Sequence, residues 1–187
     1  MKTITTSIEG ISPLLINKFS DKSEIVETMT KTKVDYGTPR EQATAGAYFD
    51  ETTKLMWIPS TWTKGAITSV SSDYKLPKSR KSVKSVIGGS VLCLQEKLYF
   101  LEKYVIDDAE VDSRPVVIKG RGRIMRHRAR LEKWSLKFDI SIDDSILAVE
   151  NVHEMLSDAG RRSGIGDFRP QKTGPFGRFM ITQWTVL

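Results

Sequence analysis

The clearest pattern in the chain is an alternation of apolar and polar residues near its C-terminal end. In the stretch WSLKFDISI, residues 134–142, every second side chain is apolar. Successive side chains of a strand point to opposite faces, so this stretch predicts a strand with one buried face. The β-branched segments Lys2–Gly10 and Arg178–Val186 predict further strands near the two ends of the chain.

Two other segments have the spacing of amphipathic helices. The first is predicted to begin at the N-cap Ser60 and carries an apolar stripe that ends at Val70. The second is predicted to begin at a cap formed by Asp143 or Asp144 and to run to about residue 159. Gly160 then takes the position just after the helix, where glycine is favoured.

Without its insertions, the chain has the predicted order strand, helix, strand, strand, helix, strand. This order is typical of ferredoxin-like and RRM-like domains, which are α+β folds with two helices on one face of an antiparallel sheet. We therefore expect one domain over residues 1–187. Three insertions are predicted, a flexible loop at about 20–45, a basic loop at 73–90 and a thumb-like β-hairpin at 105–130.

The composition limits the kinds of site that the chain can hold. Its 187 residues include one cysteine, Cys93, which excludes an internal disulfide and any cysteine-rich metal site. No apolar run approaches the roughly 20 residues that span a bilayer, so no membrane partner is expected. We expect a cytoplasmic protein with no metal and no small-molecule cofactor.

The positive charge is concentrated in three segments, although the net charge is only +6. Residues 75–86 carry +5, residues 114–137 carry +8 and residues 160–178 carry +4, so the rest of the chain is acidic. One basic face on an acidic remainder is typical of proteins that bind phosphates. The alternative is a set of separate solvated faces that do not converge.

The candidate phosphate-binding cations follow from these three segments. Arg126, Arg128 and Arg130 alternate with period two and predict a row of arginines on one face of a strand, or else a charged edge strand. The remaining candidates are Lys78, Arg80, Lys81 and Lys84 in the first segment, Arg121 and Arg123 in the second, and Arg161, Arg162, Arg169, Lys172 and Arg178 in the third.

The third segment is also rich in glycine, with five glycines in GRRSGIGDFRPQKTGPFGRF, residues 160–179. Glycines such as Gly164 and Gly166 let a backbone approach a ligand closely, and successive amides can bind an anion. Phe168 and Phe176 are candidates for stacking on bases. The segment lacks the phosphate-loop and dinucleotide-binding signatures, and a purely structural turn is the alternative.

Residues 57–67, WIPSTWTKGAI, together with SPLL at 12–15 and the Gly-rich segment, resemble the RAMP superfamily of CRISPR systems. In that superfamily a strand ending in I-P-x-S-x-x-K-G-A leads into the first helix of a ferredoxin-like fold. Ser60 replaces the usual glycine after the proline, and Thr68 stands where arginine often ends the motif. The likeness is greatest to the backbone subunit of CRISPR effectors and to small stand-alone relatives, often encoded by phages or prophages.

The resemblance implies a non-catalytic, sequence-tolerant binder of single-stranded DNA or RNA that assembles along the strand as a homo-oligomer. It places the groove at Lys64 and the Gly-rich segment, and it identifies the 105–130 hairpin as the thumb. A phage-encoded relative would act in the cytoplasm of the host cell.

Two other functions remain open. A metal-independent endoribonuclease needs a base for the 2′-hydroxyl, and His127 among the arginines is the candidate. Some relatives use an aspartate after the first strand, which makes Asp21 a weaker candidate. The third possibility is a structural or assembly protein of a phage or complex, whose basic loops contact an acidic partner.

Overall fold

The computed structural model describes residues 1–18, 37–118 and 122–187. The longer strands are β1 (Lys2–Gly10), β6 (Glu110–Ile118), β7 (Gly122–Leu131), β8 (Ser135–Ile142) and β9 (Phe179–Val186). The three-residue strands are β2 (Leu14–Ile16), β3 (Trp57–Pro59), β4 (Val91–Cys93) and β5 (Lys97–Tyr99). The helices are α1 (Pro39–Ala45), α2 (Thr61–Val70), α3 (Ile87–Ser90) and α4 (Val149–Asp158). The predicted α+β class is confirmed.

The main sheet has four strands in the order β4-β8-β1-β9, and every neighbouring pair is antiparallel. The two long central strands, β1 and β8, are adjacent although β1 is the first strand of the chain and β8 the last but one. A second sheet has the order β2-β7-β6, and β3 pairs with β5 in a two-stranded ribbon. The hairpin β6–β7 therefore belongs to a sheet that is separate from the main one.

The alternation in residues 134–142 predicts the buried face of β8 correctly. Trp134, Leu136, Phe138, Ile140 and Ile142 are all at most 2% exposed. On the neighbouring strand β1, Ile4 and Ile8 are fully buried and lie on the same side of the sheet. Helices α2 and α4 contact each other and complete this core with their apolar stripes.

The second long helix begins later than the sequence predicts. It starts at Val149 after the N-cap Ala148, while the Asp143 carboxylate accepts hydrogen bonds from the backbone and hydroxyl of Ser145. Asp143 thus stabilises a turn before the helix and does not cap it. At the other end the chain continues as a π-helical turn, Ala159–Ser163, and Gly164 at φ 68° ends it, so Gly160 is not the terminating glycine. Ser60 is the N-cap residue of α2, as the sequence predicts, although its side chain forms no capping hydrogen bond.

Part of the predicted 20–45 loop is helical, because residues 39–45 form α1. Thr38 begins this helix with a capping box, in which its hydroxyl accepts from the backbone of Glu41. Residues 19–36 lie outside the described residues. Near the start of the predicted 105–130 hairpin, Ile106–Asp108 form a short helical turn, and β6 follows from Glu110.

The Gly-rich segment packs backbone against backbone. The Asp167 N–H donates to the Leu15 carbonyl, the Gly177 N–H donates to the Pro13 carbonyl, and the Ile165 N–H donates to the Gly177 carbonyl. A Cβ placed on Gly177 would lie 1.8 Å from the Ile165 carbonyl oxygen, and φ there is +69°. Gly177 is therefore required by a close internal contact.

We predict opposite effects of alanine at two glycines. Gly177→Ala should lower the free energy of unfolding by at least about 2 kcal/mol, because the new Cβ meets backbone at a positive φ. Gly65→Ala, inside α2 with nothing within 4 Å, should raise it by about 0.5–1 kcal/mol. Urea unfolding of both variants checks the prediction, and equal effects would contradict the packing.

Candidate nucleic-acid interface

The three alternating arginines of β7 lie on one face of the hairpin, as their spacing predicts. In the register of β6 and β7, Arg126 is opposite Arg114, Arg128 is opposite Asp112, and Arg130 is opposite Glu110. Opposed residues of an antiparallel pair share a face, so two acids of β6 lie among these arginines. The row is therefore a mixed-charge surface and not a continuous row of cations.

Arg128 is the arginine that departs most from the predicted role. Its side chain is only 6% exposed, and its Nε lies 2.5 Å from Asp167 Oδ2. Asn17 donates to the same carboxylate oxygen at 3.3 Å. A guanidinium that is buried and paired in this way does not present a free charge to a phosphate. The prediction that Arg128 belongs to a row of phosphate-binding arginines is wrong, because an acid 39 residues away neutralises it.

The neighbouring arginines differ in how free they are. Arg130 pairs with Glu132 at 2.5 Å and lies 3.9 Å from Glu110. Arg114 donates from Nε to both carboxylate oxygens of Asp112 and lies 4.7 Å above the Phe176 ring. Arg126 forms no ion pair within the described residues, and exposed Arg123 forms none there either. Arg121 lies outside the described residues.

The aromatic residues of the Gly-rich segment pack on each other. The Phe168 and Phe176 ring centroids are 6.1 Å apart, and Phe176 is only 5% exposed. Phe176 therefore belongs to the interior and is not free to stack on a base, which corrects that part of the prediction. Phe168 is half-buried and has a positive φ of 47°.

The two candidate ligand-facing glycines also contact the protein itself. A Cβ on Gly166 would lie 2.6 Å from the Leu15 carbonyl oxygen, and one on Gly164 would lie 3.0 Å from the Gly177 carbonyl oxygen. Both glycines are buried. Close packing against the protein's own backbone is therefore sufficient to account for glycine at both positions, without a ligand.

The cations of the basic loop at 75–84 are freely accessible. Its side chains Lys75, Lys78, Arg80, Lys81 and Lys84 are all exposed, and within the described residues none of them forms an ion pair. The loop is anchored by Val83, which is fully buried, and by the Ser82 hydroxyl, which donates to the carbonyls of Ser71 and Ser72. The loop therefore holds five exposed charges on an ordered turn, none of them neutralised by an acid in the part of the chain that the structure describes.

A polar network joins this loop to the beginning of the third basic segment. Tyr74 donates to Asp158 Oδ2 at 2.7 Å, and Arg162 Nη2 lies 2.6 Å from Asp73 Oδ2. Burial and the bond to Asp158 raise the pKa of Tyr74 to about 12, and the bonds from Tyr74 and Arg161 lower the pKa of Asp158. Tyr74 is therefore a half-buried hydrogen-bond donor and is not free to stack on a base.

The network brings two of the three basic segments together. Arg161 pairs with Asp158, and Arg162 pairs with Asp73 and more loosely with Asp158. These two acids hold the arginines beside the base of the loop. Lys172 and Arg178 are exposed, whereas Arg169 is bound to Gln171 and to the Gly166 carbonyl.

Lys64, which the resemblance places in a groove, is held within the fold. Its Nζ donates to the Gly88 carbonyl oxygen at 2.7 Å, and the side chain is half-buried. This bond fastens α2 to the short helix α3.

The structure adds no support for a catalytic role of His127 or Asp21. His127 lies on the hairpin face opposite the arginines, and its Nδ1 is 2.7 Å from the Ser113 hydroxyl. Asp21 lies outside the described residues. Burial raises the pKa of the Cys93 thiol, which favours its unreactive protonated form. Among the described residues, no three metal-binding side chains cluster.

Near α2 lies a cluster of aromatic residues and a lysine that no pattern in the sequence indicates. Tyr48 contacts Trp57 at 5.0 Å and Trp62 at 5.7 Å between ring centroids, and Lys97 Nζ lies 4.9 Å from the centre of Trp57. The short strand β3 carries too few residues for an alternation to reveal which side of Trp57 is exposed. Nor does any local pattern pair Asp167 with Arg128.

Comparison with known proteins does not assign the chain to a family. No protein-family model matches it, and no curated protein matches it. Among the described residues, no helix is long and apolar enough to span a bilayer.

We predict that the Arg128–Asp167 pair stabilises the fold far more than the exposed pairs do. Asp167→Asn should lower the free energy of unfolding by about 2–3 kcal/mol, because it leaves the buried guanidinium without its counter-charge. The matched change Glu132→Gln, at a carboxylate that is 60% exposed, should cost less than about 1 kcal/mol. Denaturant unfolding of the two variants compares the costs, and similar values would contradict this assignment.

Proposed function

We propose that the protein is a non-catalytic, sequence-tolerant binder of single-stranded DNA or RNA that acts in the cytoplasm. The observation that supports this most is the basic loop at 75–84, with five exposed cations that form no ion pair within the described residues. Arg161 and Arg162 lie beside the base of this loop. Affinity for a polyanion comes mainly from such accessible cations, whereas buried or paired arginines contribute little.

The backbone arrangement supports a ferredoxin-like core in this proposal. In chain order, β1, α2, β4, β8, α4 and β9 follow the strand and helix order of that fold. The β4-β8-β1-β9 sheet places the first and third of these strands at its centre, as the split βαβ arrangement requires. The long hairpin β6–β7 lies between β4 and β8 in the chain, where it is an insertion into this core. We propose on this basis, and on the motif at 57–67, a relation to the RAMP superfamily and assembly along the bound strand.

The interface in this proposal differs from the one that the sequence predicts. Of the candidate cations within the described residues, those that are exposed and form no ion pair are the cations of the loop together with Arg123, Lys172 and Arg178, while Arg126 is unpaired there but half-buried. Arg128 and Phe176 support the fold beneath them.

We predict that binding depends on salt and on the loop. Labelled single- and double-stranded DNA and RNA are titrated at two salt concentrations. The variant Arg80→Ala/Lys81→Ala should weaken binding and reduce the slope of log affinity against log salt by about 0.7 per lost phosphate contact. The control Lys2→Ala/Lys103→Ala removes the same charge from two other exposed positions and should leave the slope unchanged. Stoichiometry should increase with oligonucleotide length.

The same titrations distinguish the alternatives. If no oligonucleotide binds below roughly 10 μM at low salt, the proposed function is wrong, since nonspecific sites commonly reach that affinity. Such a result would favour an assembly protein with an acidic partner. Cleavage of RNA that persists in a chelator and disappears in His127→Ala would identify a ribonuclease instead.

A further inference from the structure

Strand β9 forms one edge of the main sheet, and of the usual protections of such edges it has only a bulge, at Thr182. Among the residues that the structure describes, it pairs with β1 on one side and with no strand on the other. Its sequence, FMITQWTV, contains no charged residue and no proline, although 28% of the chain is charged. Exposed edge strands normally carry charges, prolines or bulges that prevent pairing with another strand. The opposite edge, β4, is only three residues long.

A bulge at Thr182 limits the part of β9 that can pair further. The register with β1 shifts there, so that Ile181 is opposite Ile8 and Gln183 is opposite Ser7. Beyond the bulge, residues 183–187 follow β1 without interruption. The Leu187 N–H donates to the Thr3 carbonyl, and bonded residues alternate in an antiparallel ladder. Trp184 and Val186 therefore direct their backbone N–H and C=O groups away from β1, towards the open edge.

The apolar layer of the sheet is incomplete at this edge. Trp184 and Val186 are opposite Thr6 and Ile4 of β1, and both of these β1 residues are fully buried on the helix side of the sheet. In contrast, Val186 is 51% exposed and Trp184 is half-buried against His153 of α4. Only further apolar surface beside β9 would remove these side chains from water.

We propose that β9 pairs antiparallel with β9 of a second copy of this chain, around a two-fold axis at Thr185, without nucleic acid. Trp184 of one copy is then opposite Val186 of the other, and the two residues exchange backbone hydrogen bonds. The same pair recurs across the axis, so that four outward backbone bonds form. Pairing of an aromatic with a β-branched residue is favourable across neighbouring strands.

The strand favours a copy of itself over other partners. A two-fold interface uses the same surface on both chains, so it must be self-complementary. Residues 183–187 meet this condition, because they carry no side-chain charge that would repel its own counterpart. In one register the outward backbone N–H and C=O groups of Trp184 and Val186 all form hydrogen bonds. The same register places Thr185 of one copy opposite Thr185 of the other. The resulting closed dimer is distinct from assembly along a nucleic-acid strand.

The test places a charge at the two-fold axis. The side chain of Thr185 is exposed, so Thr185→Lys should fold as the native chain does while placing two ammonium groups opposite each other. Sedimentation of the full chain without nucleic acid should show a dimer for the native sequence. Thr185→Lys should raise its dissociation constant by at least about tenfold. Thr182→Lys adds the same charge to the same strand at the bulge and should leave the dimer intact.

A charge-reversed partner separates loss of pairing from loss of folding. Thr185→Glu alone should also be monomeric, but an equal mixture with Thr185→Lys should form a mixed dimer. A native chain that stays monomeric over the concentration range overturns the proposal. So does a Thr182→Lys variant that dissociates as much as Thr185→Lys, or a mixture that does not associate. Oligonucleotide binding is measured separately, so either proposal can fail without the other.

Discussion

The ion pair between the buried Arg128 guanidinium and Asp167, whose side chain is 31% exposed, connects three segments that are distant in the sequence. Arg128 belongs to the hairpin strand β7, Asp167 belongs to the Gly-rich segment, and Asn17 at the end of β2 donates to the same carboxylate. The Asp167 N–H also donates to the Leu15 carbonyl of β2. Because removal of one partner leaves a charge in the interior, the hairpin and the Gly-rich segment are held in one relative position.

This pairing changes how the basic sequence should be interpreted. The arginines of residues 114–137 resemble a phosphate-binding row, but acids at Asp112, Asp167 and Glu132 neutralise several of them. The lysine-rich loop has no such neighbours within the described residues, and its charges stay available. Arginine at a buried position stabilises the fold through fixed, paired hydrogen bonds, whereas exposed lysines provide mobile charges for a polyanion.

The proposed binding surface and the open edge of the sheet use different parts of the molecule. The basic loop follows α2 and is fastened to the end of α4, whereas the pairing segment of β9 lies on the outer side of the main sheet. A closed dimer would therefore leave both loops accessible. Two linked loops on one nucleic-acid strand would bind more tightly than one, because the second contact becomes intramolecular.

The sequence by itself determined the elements whose pattern is local. The alternation in residues 134–142 predicts the buried face of β8, the apolar spacing after Ser60 predicts α2, and the period of Arg126, Arg128 and Arg130 predicts that they share a face. These predictions succeed because side-chain direction follows directly from the geometry of a strand or helix. The α+β class follows from the same local patterns.

Only the tertiary structure decided which of the candidate residues are accessible. Arg128 is 39 residues from its acid and Arg162 is 89 residues from Asp73, so no spacing in the sequence reveals either pair. The glycines of residues 160–179 are compatible with a ligand in the sequence, but their Cβ positions point into the protein's own backbone. The helix predicted to begin after Asp143 begins at Val149, because the Asp143 carboxylate accepts a hydrogen bond from the Ser145 hydroxyl and forms a turn before the helix. The charge and glycine content of a segment indicate which ligands it could bind. Ion pairs and packing between distant segments decide which of its residues are accessible to a ligand.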